Sequence, residues 1–488
     1  MYMDYKKLGL RVGLEIHHEL DTEEKLFCSC PTILKTKGKP DLILERHQRP
    51  VAGETGEIDV AAIEEMKKRV KIIYEVYDDC DCLVDIDEEP PHEPNEEAIK
   101  IALTVAVLFN CKIVDEIHIM RKTIIDGSLP SGFQRTMLIG RNGWVDTSQG
   151  RVEIEAVSLE EDSGRLMRKG KNSVIFRLDR LGVPEVEVGT GKGIVSPEHA
   201  KEVALKIGNV IRSTGEAKIR EGSVRQDVNV SIKGGNRVEI KHVPSLSLIP
   251  IVIEKEMERQ LNLIKNKKKV TKDVRRVLEG GGTEFLRPLP GASRMYPETD
   301  VIPIKTSGLL KGIKKHLPET WGQKIKRYKK QGLSNELAKQ IVKSYYVDLF
   351  ESIVKKTKVN PSVIANVFVG TIKDLKKREN IPIENLEDKD FQEMFELLDE
   401  GKVVKEVIPE VLSSKAKSPD KGMNEIIKEL GLEMITKKEL LKIVKKIIEK
   451  NKGQPVNKII GIVMSKVRGK ARSKDVVETV KKEMRKIY

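Results

Sequence analysis

Between Gly13 and Pro31 the chain reads GLEIHHELDTEEKLFCSCP, which gathers histidines, carboxylates and cysteines, the side chains that bind metals and move protons, into one short stretch. A zincin would need His-Glu-x-x-His, so that both imidazoles face one way a helical turn apart. After His18 and Glu19 the position due the second histidine holds Thr22, which excludes that chemistry. What the stretch does offer is strand alternation. In GLEIH, Leu14 and Ile16 point one way while Glu15 and His17 point the other.

The same alternation recurs. PEVEVG sets Glu185 and Glu187 opposite Val186 and Val188, and VRQDVNVSI sets Asp227, Asn229 and Ser231 opposite Val228, Val230 and Ile232. A loop after the strand RVEIEAV adds Glu160, Glu161 and Asp162. If these strands share a sheet, one face is lined by carboxylates, an imidazole and amide oxygens. Such a face is either plain solvated surface or a seat for a hard cation, because oxygen ligands suit Mg²⁺ and nucleotide phosphates. Basic residues interleave with it: Arg121 and Lys122 in HIMRKTIIDGS, Arg225 in SVRQD, Lys241 in VEIKH, and Arg287 and Arg294 in FLRPLPGASRMYPETD. Cations of this kind neutralise phosphoryl oxygens in a transfer reaction. No Walker A motif is present; GTGKG, from Gly189 to Gly193, has the wrong glycine spacing and reads as a strand-end turn whose backbone N–H groups could meet a phosphate.

Four of the five cysteines form two Cys-x-Cys pairs, Cys28 with Cys30 and Cys80 with Cys82. In a reducing compartment these are candidates for a structural Zn²⁺ site, the alternative being four unrelated buried thiols. Cys111, in the apolar LFNCKIV, reads as core.

The elements that must position these groups change along the chain. Up to Ile304 short alternating segments mix with helical ones such as NEEAIKIALTVAVLFN and SPEHAKEVALKIGNVIRS, the latter opening with Ser196 as N-cap and Pro197 in the first turn. Beyond it long amphipathic patterns dominate, among them NELAKQIVKSYYVDLFESIVKK and KKELLKIVKKIIEK, with a break at Ser413–Asn424. The expected fold class is therefore α+β: an antiparallel-sheet catalytic domain over 1–304, then two all-α domains over 305–412 and 425–488. The formal charge of +14 is unevenly spread, because residues 305–488 carry 42 Lys and Arg against 25 Asp and Glu. That surplus suits a polyanion-binding end, or simply solvated Lys-rich helix faces. No apolar run is long enough to span a membrane and the N-terminus lacks a secretory pattern, so a soluble cytoplasmic protein is expected.

Taken in order, GLEIHHEL, KLFCSCP, DEEPPHEPN, RKTIIDGSLPSGFQRT, SLEEDSGR, RLDRLGVPEVEV, GSVRQDVNVSI, VEIKHV, RPLPGASRMYPETD and NKGQPVNKIIGIVMSKVRGKA resemble the B/E subunit family of tRNA-dependent amidotransferases, most closely its archaeal E-type branch. The resemblance implies a kinase and transamidase cradle that uses ATP and Mg²⁺ to phosphorylate the γ-carboxylate of Glu-tRNA(Gln). Ammonia from an asparaginase-like amidase partner, of the D type, then yields Gln-tRNA(Gln); the implied complex is a heterotetramer with two copies of each subunit. Carried over by motif, Glu15, His17, Glu161 and Glu187 correspond to Mg²⁺ ligands at the catalytic centre, with Asp227 beside them. Lys122, Ser223, Arg225, Asn229, Lys241 and Arg294 correspond to groups facing ATP, and Arg468 and Lys470 to tRNA contacts. The competing expectation is a non-catalytic tRNA-binding scaffold. Two departures stand out: an inserted domain resembling one of bacterial aspartyl-tRNA synthetases is replaced by about a dozen residues, NKKKVTKDVRRVL, and GTGKG stands where relatives tend to carry an acidic, proline-containing turn.

Overall fold

The structure is a computed structural model that describes residues 4–486 apart from 48, 50–55, 57, 59–62, 64–69, 125, 171, 221, 290–294 and 379–380. Its strands are β1 (Arg11–Glu19), β2 (Leu42–Arg46), β3 (Lys71–Val76), β4 (Lys112–Ile113), β5 (Glu116–Ile117), β6 (Ile119–Thr123), β7 (Phe133–Thr147), β8 (Gly150–Glu161), β9 (Arg165–Lys169), β10 (Ser173–Arg177), β11 (Pro184–Thr190), β12 (Val224–Ser231), β13 (Val238–Lys241), β14 (Asp273–Val277), β15 (Thr283–Pro288), β16 (Met295–Pro297) and β17 (Ile304–Lys305). Eleven of them make one sheet in the order β15-β14-β13-β12-β1-β11-β8-β7-β6-β16, with β4 paired to β7. Every pairing in it is antiparallel except β13 with β14. A smaller four-stranded sheet runs β2-β3-β10-β9.

The alternating segments thus become neighbours. Val12, Leu14 and Ile16 of β1, Val186 and Val188 of β11, Val228 and Val230 of β12, and Leu159 of β8 all enter one core. Three helices cover that side: α1 (Glu96–Leu108) on β7 and β8, α2 (Pro197–Arg212) on β1, and α3 (Leu248–Lys265) on β12. The expected start of α2 is present, with Ser196 Oγ accepting from the His199 amide at 3.2 Å and Pro197 in the first turn. Asn95 caps α1 by accepting from the Ala98 amide at 3.1 Å. With its apolar side chains committed to the helices, the sheet presents the polar half of each strand on the opposite face.

The chain divides into two compact units, Met1–Thr320 and Trp321–Tyr488, so the boundary lies beyond the expected Ile304. The reason is α4 (Ser307–Lys315), whose Leu309, Leu310 and Ile313 pack on the core of the first unit. The second unit is helical and holds two hydrophobic clusters, one running from Tyr328 to Leu432 and the other from Leu440 to Met484. The break expected at Ser413–Asn424 does not separate them. A helix runs Ile408–Lys417, and the buried Lys415 Nζ donates to the Pro419 and Lys421 carbonyls at 2.6 and 2.7 Å, folding the chain back so that Met423 and Ile426 join the first cluster. The segment read as one amphipathic run is two helices, Asn335–Val342 and Val347–Lys356, parted where Ser344 Oγ accepts from the Tyr346 amide and the Tyr346 ring stacks on Phe368. Among the described residues no helix is long and apolar enough to cross a membrane.

Candidate active site

Cross-strand register lines up the polar face in rungs. One runs Asp227–Glu15–Gly189–Ala156 and the next Arg225–His17–Glu187–Ser158. A third brings Glu185, Glu160 and Thr136 together. A cavity of about 830 Å³ opens above these rungs, lined by Glu15, His17, Glu160, Glu187 and Asp227 and by the cations Lys122, Arg225, Lys241 and Arg287.

Ion pairs fix most of these groups. Lys122 Nζ lies 2.6 Å from Glu160 and 3.6 Å from Glu187, and Thr136 Oγ1 also donates to Glu160. Burial would raise the Glu160 carboxyl, but Lys122 and His17 bring it down to about 2. Glu187, by contrast, is raised to about 7 by burial and by the charge of Glu160. Burial alone would lower His17, yet Glu185 and Glu187 carry it up to about 9. Arg225 spans two carboxylates, donating to Asp162 at 2.8 Å and to Glu185, and Lys241 Nζ sits 2.6 Å from both Asp227 and Glu239. Against the cost of burial, Lys241 holds Asp227 well below the usual carboxylate range.

Two sets of three ligand atoms lie within 4.8 Å of one another: Glu15, His17 and Asp227, and His17, Glu160 and Glu185. Within them His17 Nδ1 and Glu160 Oε2 are buried without a hydrogen-bond partner, and His17 Nδ1 stands 3.7 Å from Glu185, too far for a hydrogen bond. Buried polar atoms left unpartnered in this way amid several carboxylates fit a divalent cation. Glu187 flanks both sets without belonging to either.

Other expected residues land elsewhere. The segment read as a loop is the end of β8, and alternation sends Glu161 to the opposite face from Glu160. There it accepts from the Arg135 amide at 2.8 Å and pairs with the Arg135 guanidinium, which also meets Glu298 at 2.9 Å. Glu161 is therefore not at the cation cluster, and Glu160 takes the place expected for it. Arg121 faces away as well, bound to Glu298 and Asp300 of the YPETD segment. Ser223 does not reach the cavity: its Oγ donates to the Lys218 and Arg220 carbonyls at 2.9 and 2.8 Å, closing a turn. Asn229 lies beside Glu15, donating to it at 3.0 Å. Arg294 falls outside the described residues. The backbone of GTGKG is already occupied, since the Gly191 amide donates to the Glu153 carbonyl and the Lys192 amide to the Glu153 carboxylate. Its glycines serve the turn: Gly193 has φ +120°, and a Cβ on Gly191 would fall 2.6 Å from Glu153 Oε2.

The cysteines also regroup. Cys28, Cys30 and Cys82 come together with Asp85, not with Cys80. Cys80 is buried outside this group, whereas the Asp85 amide bonds back to the Cys82 carbonyl and brings its carboxylate round. Thiol donors from Cys28 and Cys30 hold the Cys82 thiol down to about 2. Three sulfurs and one oxygen at this spacing fit a tetrahedral Zn²⁺ donor set. Behind them Lys25, fully buried, lies 3.0 Å from both Asp81 and Asp85. In the second unit Arg468 is exposed and Lys470 half-buried on the turn after the helix Val456–Lys466.

Comparison with known proteins adds a family. The GatB/GatE catalytic domain family matches residues 10–310 and the GatB domain family matches residues 348–484. The chain is similar to proteins named as the E subunit of glutamyl-tRNA(Gln) amidotransferase: 38% identical to that of Methanocaldococcus jannaschii, with 100% of both chains covered, 36% to that of Thermococcus gammatolerans and 34% to that of Saccharolobus solfataricus, with 99% of both covered in each. The alignment with the first extends over 632 positions against the 488 residues present here, so that relative carries stretches with no counterpart in this chain.

Proposed function

Because the chain belongs to the GatB/GatE family, we propose that it is a tRNA-dependent amidotransferase subunit that phosphorylates the γ-carboxylate of glutamate esterified to tRNA(Gln) and replaces the phosphate with ammonia. The observation that carries this reading is the sheet face on which Glu15, His17 and Asp227 lie within ligand distance of one another, beside a cavity edged by Lys122, Arg225, Lys241 and Arg287. Mg²⁺ held by Glu15, His17 and Asp227 would supply the positive charge that stabilises phosphoryl oxygens.

In the first step an oxygen of the γ-carboxylate attacks the γ-phosphorus of ATP, the bond from that phosphorus to the bridging oxygen breaks, and ADP leaves. Lys122 and Arg287 are suited to the charge on the transferring group. In the second step the ammonia nitrogen attacks the acyl carbon, the carbon–oxygen bond to phosphate breaks, and one proton is lost. Glu187, with its carboxyl at about 7, is matched to accept that proton near neutral pH. Arg225 acts through Asp162 and Glu185 as a positioning residue.

The chain would assemble with its partners in the cytoplasm. Ammonia would come from an asparaginase-like amidase partner in a heterotetramer with two copies of each chain. Arg468 and Lys470, within the basic surplus of the helical unit, would meet tRNA phosphates. Cys28, Cys30, Cys82 and Asp85 would hold a structural Zn²⁺. The protein supplied with ATP, Mg²⁺, ammonium and Glu-tRNA(Gln) should form Gln-tRNA(Gln), and Glu15→Gln should abolish this while leaving tRNA affinity unchanged. Normal tRNA binding with no product from the unaltered protein would leave only a scaffold.

A further inference from the structure

A second cavity, of about 1130 Å³, lies on the same sheet face and meets the first at Glu15, Ala156, Glu187 and Arg237. It extends along the strands toward their other ends, between Arg11 of β1, Glu153 and Glu155 of β8, Lys192 of the GTGKG turn and Ser231 of β12. The two differ in charge. Lys122, Arg225, Lys241 and Arg287 belong to the first cavity alone, whereas the cation at the seam is Arg237. A reaction that transfers a phosphoryl group from a nucleotide to a second large substrate needs two seats within reach of one reacting point, and a cavity near 830 Å³ accommodates roughly one ligand of drug size.

Arg237 is built to hold an anion at that seam. It precedes β13, and its Nε donates to Asn229 Oδ1 at 2.9 Å while Asn229 Nδ2 donates to Glu15 at 3.0 Å. Its Nη2 stands 3.5 Å from the same Glu15 oxygen, and the side chain is 56% exposed. The inner edge of the guanidinium is thus fixed in orientation and the outer edge faces the cavities. A fixed, planar fork with free donors matches a carboxylate.

We propose that the second cavity seats the aminoacylated 3′-terminal nucleoside of the tRNA and that Arg237 holds the side-chain carboxylate of its amino acid at the junction, facing the triphosphate in the first cavity. This rests on the function proposed above and adds the division of the face between the two substrates. Arg237 is a substrate-binding residue by this assignment, and the second cavity discriminates an acidic from a neutral side chain.

Two probes report binding apart from turnover: 3′-deoxy-3′-(glutamylamino)adenosine and its glutaminyl counterpart, stable amides that differ only in the charge of the side chain. The unaltered protein should bind the glutamyl form about 10- to 100-fold more tightly, the range of a charge-assisted pair. Arg237→Ala should remove that preference and raise the KM for Glu-tRNA(Gln) by a similar factor with the KM for ATP unchanged, and Arg237→Lys should restore part of it. Glu155→Trp, filling the second cavity from an exposed strand position, should raise the KM for Glu-tRNA(Gln) alone. A retained preference in Arg237→Ala, or a rise in the KM for ATP in Glu155→Trp, overturns the assignment. Failure of the unaltered protein to convert Glu-tRNA(Gln) would instead count against the underlying function, so the two are separable.

Discussion

Glu160 and Glu161 are adjacent acids of equal charge, yet they face opposite sides of β8, and exchanging each for glutamine tells which face carries the chemistry. Glu160→Gln keeps the shape, and the amide oxygen can still accept from Thr136 and Lys122, but the charge that Lys122 and His17 stabilise is gone, so the melting temperature should fall by roughly a few degrees as well. What is lost is the charge beside His17 and the second set of ligand atoms. Loss of one such charged group at a phosphoryl-transfer centre costs about 100- to 1000-fold in kcat, or roughly 3–4 kcal/mol. Glu161→Gln should cost stability alone. Arg135 keeps Glu298 at 2.9 Å but loses its other charged partner in a buried setting. Breaking a buried pair outright costs about 3–5 kcal/mol, and the surviving partner brings this to roughly 2–3 kcal/mol, or about 3–5 °C in melting temperature for a unit the size of Met1–Thr320. Turnover at a temperature well below melting should stay within a few-fold of normal. The assay is initial-rate conversion of Glu-tRNA(Gln) at saturating ammonium, paired with thermal unfolding. A catalytic loss in Glu161→Gln with normal conversion in Glu160→Gln would put the opposite face of the strand at the chemistry and overturn the assignment of Glu160.

Metal analysis of the purified protein should find one Zn²⁺ per chain that is lost in Cys82→Ser and kept in Cys80→Ser; equal loss in both would restore the pairing of the two Cys-x-Cys motifs. Lys25→Met strands Asp81 in the interior without its cation and leaves Asp85 to the Zn²⁺ set alone, and it should destabilise by about 3–5 kcal/mol in denaturant unfolding, whereas a change below ~1 kcal/mol would mean the ion triad is not buried as described. The transamidation step, measured at constant free ammonia, should slow about tenfold per unit as pH falls below about 7, since Glu187 must be ionised to take a proton, and Glu187→Gln should flatten that limb. Replacing Arg468 and Lys470 by alanine should weaken tRNA binding without changing kcat at saturation and reduce the slope of log affinity against log salt by about 1–2; an unchanged slope would remove these residues from the tRNA interface.

Much of this site was legible because strand alternation is a rigid rule. GLEIH, PEVEV and RQDVNV each carry valine, leucine or isoleucine at every second position, and those residues do enter one core while the polar ones line the cavity. The same rule would have separated Glu160 from Glu161. Leu159 is buried, so Glu160 had to face the site, but SLEED reads as a loop until β8 is known to extend that far. Ser223 and Arg121 sit in site motifs yet serve as a turn clasp and as a clamp on the YPETD segment, roles that only the partners reveal. Asp85 was invisible as a ligand because the Cys-x-Cys repeat draws attention to a fourth sulfur, and only the turn from Cys82 to Asp85 shows which donor arrives. Arg237 carries no motif at all; its place at the seam follows from the hydrogen bond to Asn229 two strands from the sheet centre at β11. The helical boundaries were hidden for a related reason, since α4 has a basic, amphipathic sequence like those that follow it and is assigned to the first unit only by packing.

As proposed, this sheet face transfers a phosphoryl group to the side chain of a tRNA-bound glutamate. The direct test is to incubate the protein with γ-³²P-labelled ATP, Mg²⁺ and Glu-tRNA(Gln) in the absence of ammonia and to quench with hydroxylamine. Release of labelled phosphate together with an equal amount of γ-glutamyl hydroxamate on the tRNA is the predicted result. Hydrolysis of ATP without hydroxamate, or production of AMP in place of ADP, would contradict it.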